Sequence, residues 1–275
     1  MLDQYRESLL IFLGINVVLA LSLYLPASAG LLSLGQGGFM AIGAYVSAIL
    51  TAWVGVPFVV ALVGAGLAAG LVGLLTGFPA LRIRGIYLII LTMGFGEIVR
   101  IFFLNFEPTG GASGFGGLAH LTGLGAVTVV VLLLLVFAVQ VRGSRIGRAL
   151  EAVREDELTA EVMGINLTRV KLSAFGLGAV WAGLGGALYA HHALFIDAGQ
   201  FGFFRSAEIF LIVLLGGLGS PWGAVVGAAV VTLLPELLRP IQEWRMTFFG
   251  SLLVIMMVLR PWGLVGRSRR RMVHG

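Results

Sequence analysis

The stretch FVVALVGAGLAAGLVGLLTGF, residues 58–78, decides the fold class, because it holds no charged residue over a length that crosses a bilayer. A hydrocarbon core about 30 Å thick requires about 20 apolar residues in a helix, which satisfies its own backbone polar groups. The frequent glycines are typical of membrane helices that pack closely. Similar apolar runs recur along the chain, at 8–25, 31–53, 85–104, 123–141, 171–191, 206–219, 222–238 and 246–262. The sequence therefore predicts an all-α fold, a polytopic transmembrane helical bundle of about 8–10 spans, as a single domain over 1–275.

The composition of the 275 residues supports this prediction. Hydrophobic residues make up 59% of the chain and charged residues only 11%, whereas a soluble domain carries about 25% charged residues. The net charge of +5 does not indicate a nucleic-acid partner, because the basic residues lie at the ends of apolar runs, where they suit membrane lipid. The chain contains no cysteine, which excludes disulfides and thiol chemistry. No catalytic residue, cofactor or metal site is predicted.

Lysine and arginine residues predict the orientation, since cytoplasmic loops carry an excess of them. Four lie on one side of the predicted spans: Arg6, Arg205, Arg239 and Arg245. Twelve lie on the other side: Arg82, Arg84, Arg142, Arg145, Arg148, Arg154, Arg169, Lys171, Arg267, Arg269, Arg270 and Arg271. We therefore expect 142–171, the basic tail 266–275 and the C-terminus to be cytoplasmic in a bacterial inner membrane, with 105–122 outside. The acidic start predicts a retained first helix rather than a signal peptide. The number of spans and the side of the membrane on which the first helix begins both stay open.

Two segments predict interruptions in the bundle. Residues 31–38 (LLSLGQGG) are too rich in glycine for an ordinary helix, since glycine costs about 1 kcal/mol per helical position relative to alanine. Residues 206–219 are short for a crossing and are predicted to turn at 220–222. The segments 34–44 and 218–228 share two glycines and an alanine at matching places. This similarity indicates either a weak internal repeat with broken helices or the ordinary likeness of glycine-rich membrane helices.

The long charged segment RGSRIGRALEAVREDELTAEVMGINLTRVK (142–171) carries the most functional information. Ser144 is a candidate N-cap for one short helix, and Gly164 is a candidate C-cap for a second. Apolar residues recur at helical spacing in each: Ile146, Leu150 and Val153 in the first, and Leu158, Val162 and Met163 in the second. The pattern predicts two cytoplasmic helices over 144–165 that dock on a soluble partner. The alternative is a solvated linker.

This segment resembles the coupling region of ABC importer permeases, in which an acidic–alanine motif precedes a glycine, here Ala160, Glu161 and Gly164. Three further stretches resemble the branched-chain amino acid permeases of LivM type: 21–45, 85–100 and 214–228. Together with 144–175, these stretches are distributed across most of the length of the chain in family order. One departure is Gln36, where histidine is more frequent in such permeases, and it weakens any prediction of cargo from that position.

The resemblance implies the membrane-spanning permease subunit of an ABC importer for branched-chain or other hydrophobic amino acids. It implies three partners: cytoplasmic ABC ATPase subunits, a second homologous permease subunit or a second copy of this chain, and a periplasmic substrate-binding protein. The residues that it assigns to ATPase coupling are Glu151, Arg154, Glu155, Asp156, Ala160, Glu161, Met163 and Gly164. The chain itself is not expected to be an enzyme, because its only lysine, Lys171, follows no glycine loop of the kind that binds ATP phosphates.

Polar residues inside the spans are candidates for the permeation path, since polar groups at membrane depth are costly: Asn16, Ser33, Gly35, Gln36 and Glu97. The glycines around Gln36 leave backbone N–H groups available to a carboxylate. Glu97 and Arg100 lie three residues apart on one helix face, and they predict either a substrate contact or a structural ion pair.

Two alternative functions remain open. An importer of the same class could carry urea, a short amide or a sugar. A stand-alone ion-coupled carrier or channel would need more titratable groups at the midplane than Glu97 and Arg100, and it would leave 144–165 without a role.

Overall fold

The computed structural model describes residues 2–83, 85–237, 250–251 and 263–265. The α-helices in this part of the chain are α1 (Leu2–Ser28), α2 (Gln36–Ala52), α3 (Phe58–Ala80), α4 (Ile86–Asn105), α5 (Leu124–Gly143), α6 (Arg145–Glu155), α7 (Glu157–Val162), α8 (Leu167–Ala193), α9 (Phe203–Gly216) and α10 (Pro221–Leu237). Strands β1 (Phe115–Gly116) and β2 (Phe195–Ile196) pair antiparallel. Six helical segments among the described residues are long and apolar enough to cross a membrane. The predicted all-α, polytopic bundle is confirmed, whereas the tail 266–275 and nearly all of the predicted span 246–262 lie outside the described residues.

Helix α8 forms the centre of the bundle and packs against α1, α2 and α3. Helices α1 and α8 are mostly buried, while α3, α4 and α5 expose large apolar side chains along much of their length. Gly43 of α2 faces Gly183 of α8 so closely that a Cβ on Gly43 would overlap the Gly183 backbone. Small residues of this kind allow the close backbone approach on which helix packing in lipid depends.

The predicted interruptions fall close to their expected places. Residues 31–35 are not helical, but α2 begins at Gln36, so the interruption is shorter than predicted. Glycines at 37 and 38 are tolerated in the first turn of α2 because tertiary packing overrides helix propensity there. The turn predicted at 220–222 lies earlier, over 217–220, since α9 ends at Gly216 and α10 begins at Pro221.

One end of the bundle collects α6, α7 and the turn between α9 and α10. Arg154 of α6 donates from Nη1 to the carbonyl oxygen of Leu218 at 3.4 Å. Arg142 at the end of α5 donates to Ser220 Oγ at 3.0 Å. Residues 263–265 join the same end through backbone hydrogen bonds to the last turn of α9. We call this the α6–α7 end.

The opposite end carries the β1–β2 ribbon and the N-terminal half of α1. Phe12 of α1 packs edge-on against His192 near the end of α8, with ring centroids 4.9 Å apart. The neighbouring His191 lies 3.0 Å from Ser47 Oγ and 3.2 Å from the carbonyl oxygen of Ala119, and so it holds the 118–122 loop to the bundle. The N-terminal half of α1 therefore lies at the end of the bundle opposite α6 and α7.

Candidate functional site

Helix α6 is held to the bundle by a capped end and two buried side chains. Ser144 Oγ accepts hydrogen bonds from the backbone N–H groups of Ile146 at 3.1 Å and Gly147 at 3.3 Å, as predicted for an N-cap. Leu150 and Val153 are buried. The prediction that Ile146 shares their buried face is wrong, because Ile146 is exposed. Gly147 lies against the end of α5 in its place.

Helix α7 starts at a second cap, Asp156. Asp156 Oδ1 accepts from the backbone N–H groups of Leu158 at 2.9 Å and Thr159 at 3.1 Å, and Oδ2 accepts from the Thr159 hydroxyl at 3.0 Å. These bonds hold the pKa of Asp156 below its ordinary value, because they stabilise the charged form. The bond from the Thr159 N–H has the largest effect.

Gly164 ends the α7 turn in the left-handed conformation predicted for it, with φ of +84°. Its N–H donates to Glu161 O at 2.9 Å, and the next N–H, of Ile165, donates to Ala160 O at 3.1 Å. This pair of bonds satisfies carbonyls that the helix end leaves open. Asn166 then caps α8. The Gly164 turn therefore sets the direction of α7 relative to α8.

An ion pair that sequence reasoning missed ties α7 to α8. Lys171 Nζ lies 2.6 Å from Glu157 Oε1, and the lysine side chain is only 6% exposed. The signal was present in the sequence, since Lys171 is the only lysine and it stands at the start of an apolar run. A buried cation requires such a partner.

The outer face of α7 is apolar although nothing covers it within the described residues. Val162 is 87% exposed and Met163 is 78% exposed, and Leu158 is exposed beside them. The other predicted coupling residues lie at the same end of the bundle. Ala160 is buried, and the exposed ones are Glu151, Arg154, Glu155, Asp156, Glu161 and Gly164. Large apolar side chains exposed on a charged surface are more typical of an interaction site than of a solvated linker.

A second group of polar residues is buried where α1, α2, α4 and α9 meet, and we call it the central polar cluster: Ser22, Ser33, Gln36, Thr92 and Ser206. Ser33 Oγ accepts from the N–H of Gly35 at 3.1 Å, and Thr92 Oγ1 accepts from the N–H of Leu34 at 3.0 Å. Ser22 Oγ lies 3.3 Å from Gln36 Oε1. The cluster therefore holds the non-helical entry to α2 in place.

The first turn of α9 bonds to two of the predicted pathway residues, Asn16 and Glu97, and to the neighbour of a third. Ser206 Oγ accepts from the N–H of Gly37, next to Gln36, at 3.0 Å. The N–H of Phe203 donates to Glu97 Oε1 at 3.1 Å. Arg205 Nη2 donates at 2.9 Å to Asn16 Oδ1, which lies midway along α1. Helices α2 and α9 thus begin side by side within the bundle, as broken helices do at transporter binding sites.

Two ion pairs flank this turn. Arg100 Nε lies 2.6 Å from Glu97 Oε2, and each side chain is 30% exposed. Arg205 Nη1 lies 2.5 Å from Glu208 Oε2 on the other side of α9. The charge count had placed Arg205 among the residues outside the spans; this was wrong, because the side chain reaches between helices to Asn16. Since Asn16 also donates to Thr232 at 2.9 Å, the second pair links α9 to α1 and α10.

The arrangement places balanced charge around the start of α9. Two carboxylates and two guanidinium groups surround the first turn of α9, whose N-terminal dipole favours an anion. Sequence reasoning missed Ser206 and Thr92, since an isolated hydroxyl inside an apolar run gives no pattern.

Comparison with known proteins gives a consistent result. The family described as "Branched-chain amino acid transport system / permease component" matches residues 5–259. The "High-affinity branched-chain amino acid transport system permease protein LivM" of Salmonella typhimurium is 39% identical over 94% of this chain and 67% of its own length. The permease protein LivH of Escherichia coli is 31% identical over 54% of this chain and 49% of its length.

A more distant relative comes from an archaeon. The "Probable branched-chain amino acid transport permease protein LivM" of Methanocaldococcus jannaschii is 25% identical over 75% of this chain and 68% of its own length. No solved structure matches the chain. The family match covers nearly the whole helical bundle, including the surface helices and the central polar cluster. The chain belongs to the family of branched-chain amino acid transport system permease components.

Proposed function

We propose that this chain is the membrane-spanning permease subunit of an ABC importer for branched-chain or other hydrophobic amino acids, driven by ATP hydrolysis on separate subunits. The observation that carries the proposal is the family match over residues 5–259, which includes the capped helices α6 and α7 with their exposed apolar face. A cytoplasmic ATPase subunit would dock on that face. A second homologous permease and a periplasmic substrate-binding protein would complete the assembly in a bacterial inner membrane.

A series of contacts between α6 and the central polar cluster supports the proposal. Arg154 of α6 contacts the turn after α9 through Leu218, and Arg142 contacts the same turn through Ser220. Helix α9 is about 21 Å long, at 1.5 Å per residue. Its first turn, at the far end, contacts Gly37, Glu97 and Asn16. A displacement of α6 by the ATPase would therefore reach the cluster through one rigid helix.

The central polar cluster and its two ion pairs would form part of the path for the cargo. An amino acid carries one carboxylate and one ammonium group, and the surroundings of α9 offer both signs of charge in equal number. Ser33, Gly35 and Gln36 would order the entry to α2, while Asn16 and Glu97 would hold the first turn of α9.

A charge reversal tests the docking face. Glu161→Arg changes an exposed residue of α7, and we expect it to lower both ATPase binding and ATPase-coupled uptake while the protein still inserts. Glu107→Arg is the matched control, because it makes the same change at an exposed position at the opposite end of the bundle. Equal ATPase binding by both variants, at the level of the unmodified complex, would return α6 and α7 to the role of a solvated linker.

A further inference from the structure

One face of the bundle carries charge at membrane depth. Glu97 lies about 16 Å from one end of α4 and about 12 Å from the other, at 1.5 Å per residue. Its ion pair with Arg100 is still 30% exposed. Because Phe203 is bonded to Glu97, α9 begins at the same depth, and the adjacent Phe204 is 87% exposed. We call this surface the α4–α9 face.

The other outward faces differ in composition. Helix α3 has no charged residue from Phe58 to Ala80, and its exposed side chains are apolar from Val59 to Phe78. Helix α5 exposes a similar apolar surface, with its one charged residue in the last turn. These surfaces suit lipid. An ion pair that is 30% exposed at this depth does not, since charge facing hydrocarbon is costly and such pairs face protein or water.

The α4–α9 face is also continuous with the central polar cluster. Ser206 lies behind Phe204 on the same turn of α9 and bonds to Gly37. Gly202, between the ion pair and that turn, contacts the Arg100 side chain closely, so the pair packs directly on the start of α9. A subunit seated against this face would enclose the cluster between the two chains and remove the ion pair from lipid.

We propose that the α4–α9 face, centred on Glu97, Arg100 and Phe204, is where this chain contacts a second permease-fold subunit. The inference rests on the proposed function, which requires such a subunit, and it adds the location of the contact. Lipid meets the α3 and α5 faces. The ion pair lies at the boundary between the subunits, where the partner shields it from hydrocarbon.

Site-specific photo-crosslinking tests this location. Phe204 is replaced by p-benzoylphenylalanine in the purified complex with its coexpressed second permease, and the conservative ring change at an exposed position preserves the fold. A second probe takes the place of Ile101, which is exposed on α4 beside the ion pair. The matched control takes the place of Leu71, which is 61% exposed near the middle of α3. ATP-driven uptake is measured on each labelled complex before irradiation.

We expect the probes at 204 and 101 to crosslink to the second permease, or to a second copy of this chain, at least tenfold more than the probe at 71. Crosslinks from 204 and 101 only to lipid, or equal protein crosslinking from 71, would overturn the inference. Loss of the proposed function gives a different result: no second permease copurifies, and the unlabelled complex shows no ATP-driven uptake.

Discussion

Substituting Gly164 perturbs the turn that directs α7, and the structure allows the cost to be separated into parts. A Cβ built on Gly164 meets no atom within 4 Å, so Gly164→Ala creates no clash. The whole cost comes from the φ of +84°, which disfavours an alanine by about 1 kcal/mol. That free energy lowers the population of the native turn about fivefold relative to its alternatives.

The native turn is held by the N–H groups of Gly164 and Ile165, which donate to Glu161 and Ala160. We expect these two amides to exchange with deuterium about fivefold faster in Gly164→Ala, and substrate-stimulated ATPase activity of the reconstituted complex to fall with them. Gly164→Asn should recover most of both, because asparagine tolerates the left-handed conformation.

Gly143→Ala is the matched control, since position 143 is equally open but has no positive φ. It lies at the end of α5, and alanine there should leave both measurements unchanged. If Gly164→Ala exchanged and hydrolysed like Gly143→Ala, the turn would not position α7 for the ATPase and the reasoning would be refuted.

Three further predictions concern the buried contacts and the cap. Ser206→Ala leaves the N–H of Gly37 without its acceptor in a buried site, so it should lower the stability of the protein by about 1–3 kcal/mol and impair uptake. Ser206→Thr retains the hydroxyl and should preserve both stability and uptake, as measured by thermal unfolding and a transport assay. Glu157→Ala should lower the thermal stability by about 1–3 kcal/mol, and by more than Lys171→Met, because the lysine side chain is only 6% exposed whereas the glutamate side chain is 30% exposed. Because the pKa of Asp156 is lowered, its cap is fully present above the ordinary carboxyl pKa and is lost only as pH falls through the lowered value. ATPase binding measured from pH 8 to 5 should therefore not change through this residue. The Asp156→Asn complex should bind the ATPase equally, because asparagine is also a good N-cap.

The architecture and the surface helices were predictable because their signals are local. Uncharged runs of membrane length, the cap at Ser144 and the glycine at 164 each depend on a few consecutive residues, and the structure confirms them. Residues 31–35 and the turn after α9 were also readable from glycine and proline content.

The contacts around the first turn of α9 were not predictable, because each joins residues far apart in the chain. The Gly37–Ser206 bond spans 169 positions and the Asn16–Arg205 bond spans 189, and no local pattern specifies either. The sequence nominated Asn16, Gln36 and Glu97 as separate polar residues. Only tertiary packing shows that one helix end connects them.

ATP-driven uptake by the reconstituted complex tests the central claim most directly. Proteoliposomes holding this chain, its second permease and the ATPase subunits are loaded with ATP on the side that exposes α6 and α7, and they receive the binding protein with radiolabelled leucine, isoleucine or valine outside. We predict accumulation that requires hydrolysable ATP, survives ionophores that collapse ion gradients, and is lowered in the Glu161→Arg complex. Accumulation driven by an ion gradient without ATP, or ATP-driven uptake of urea or a sugar but of none of these amino acids, would contradict it.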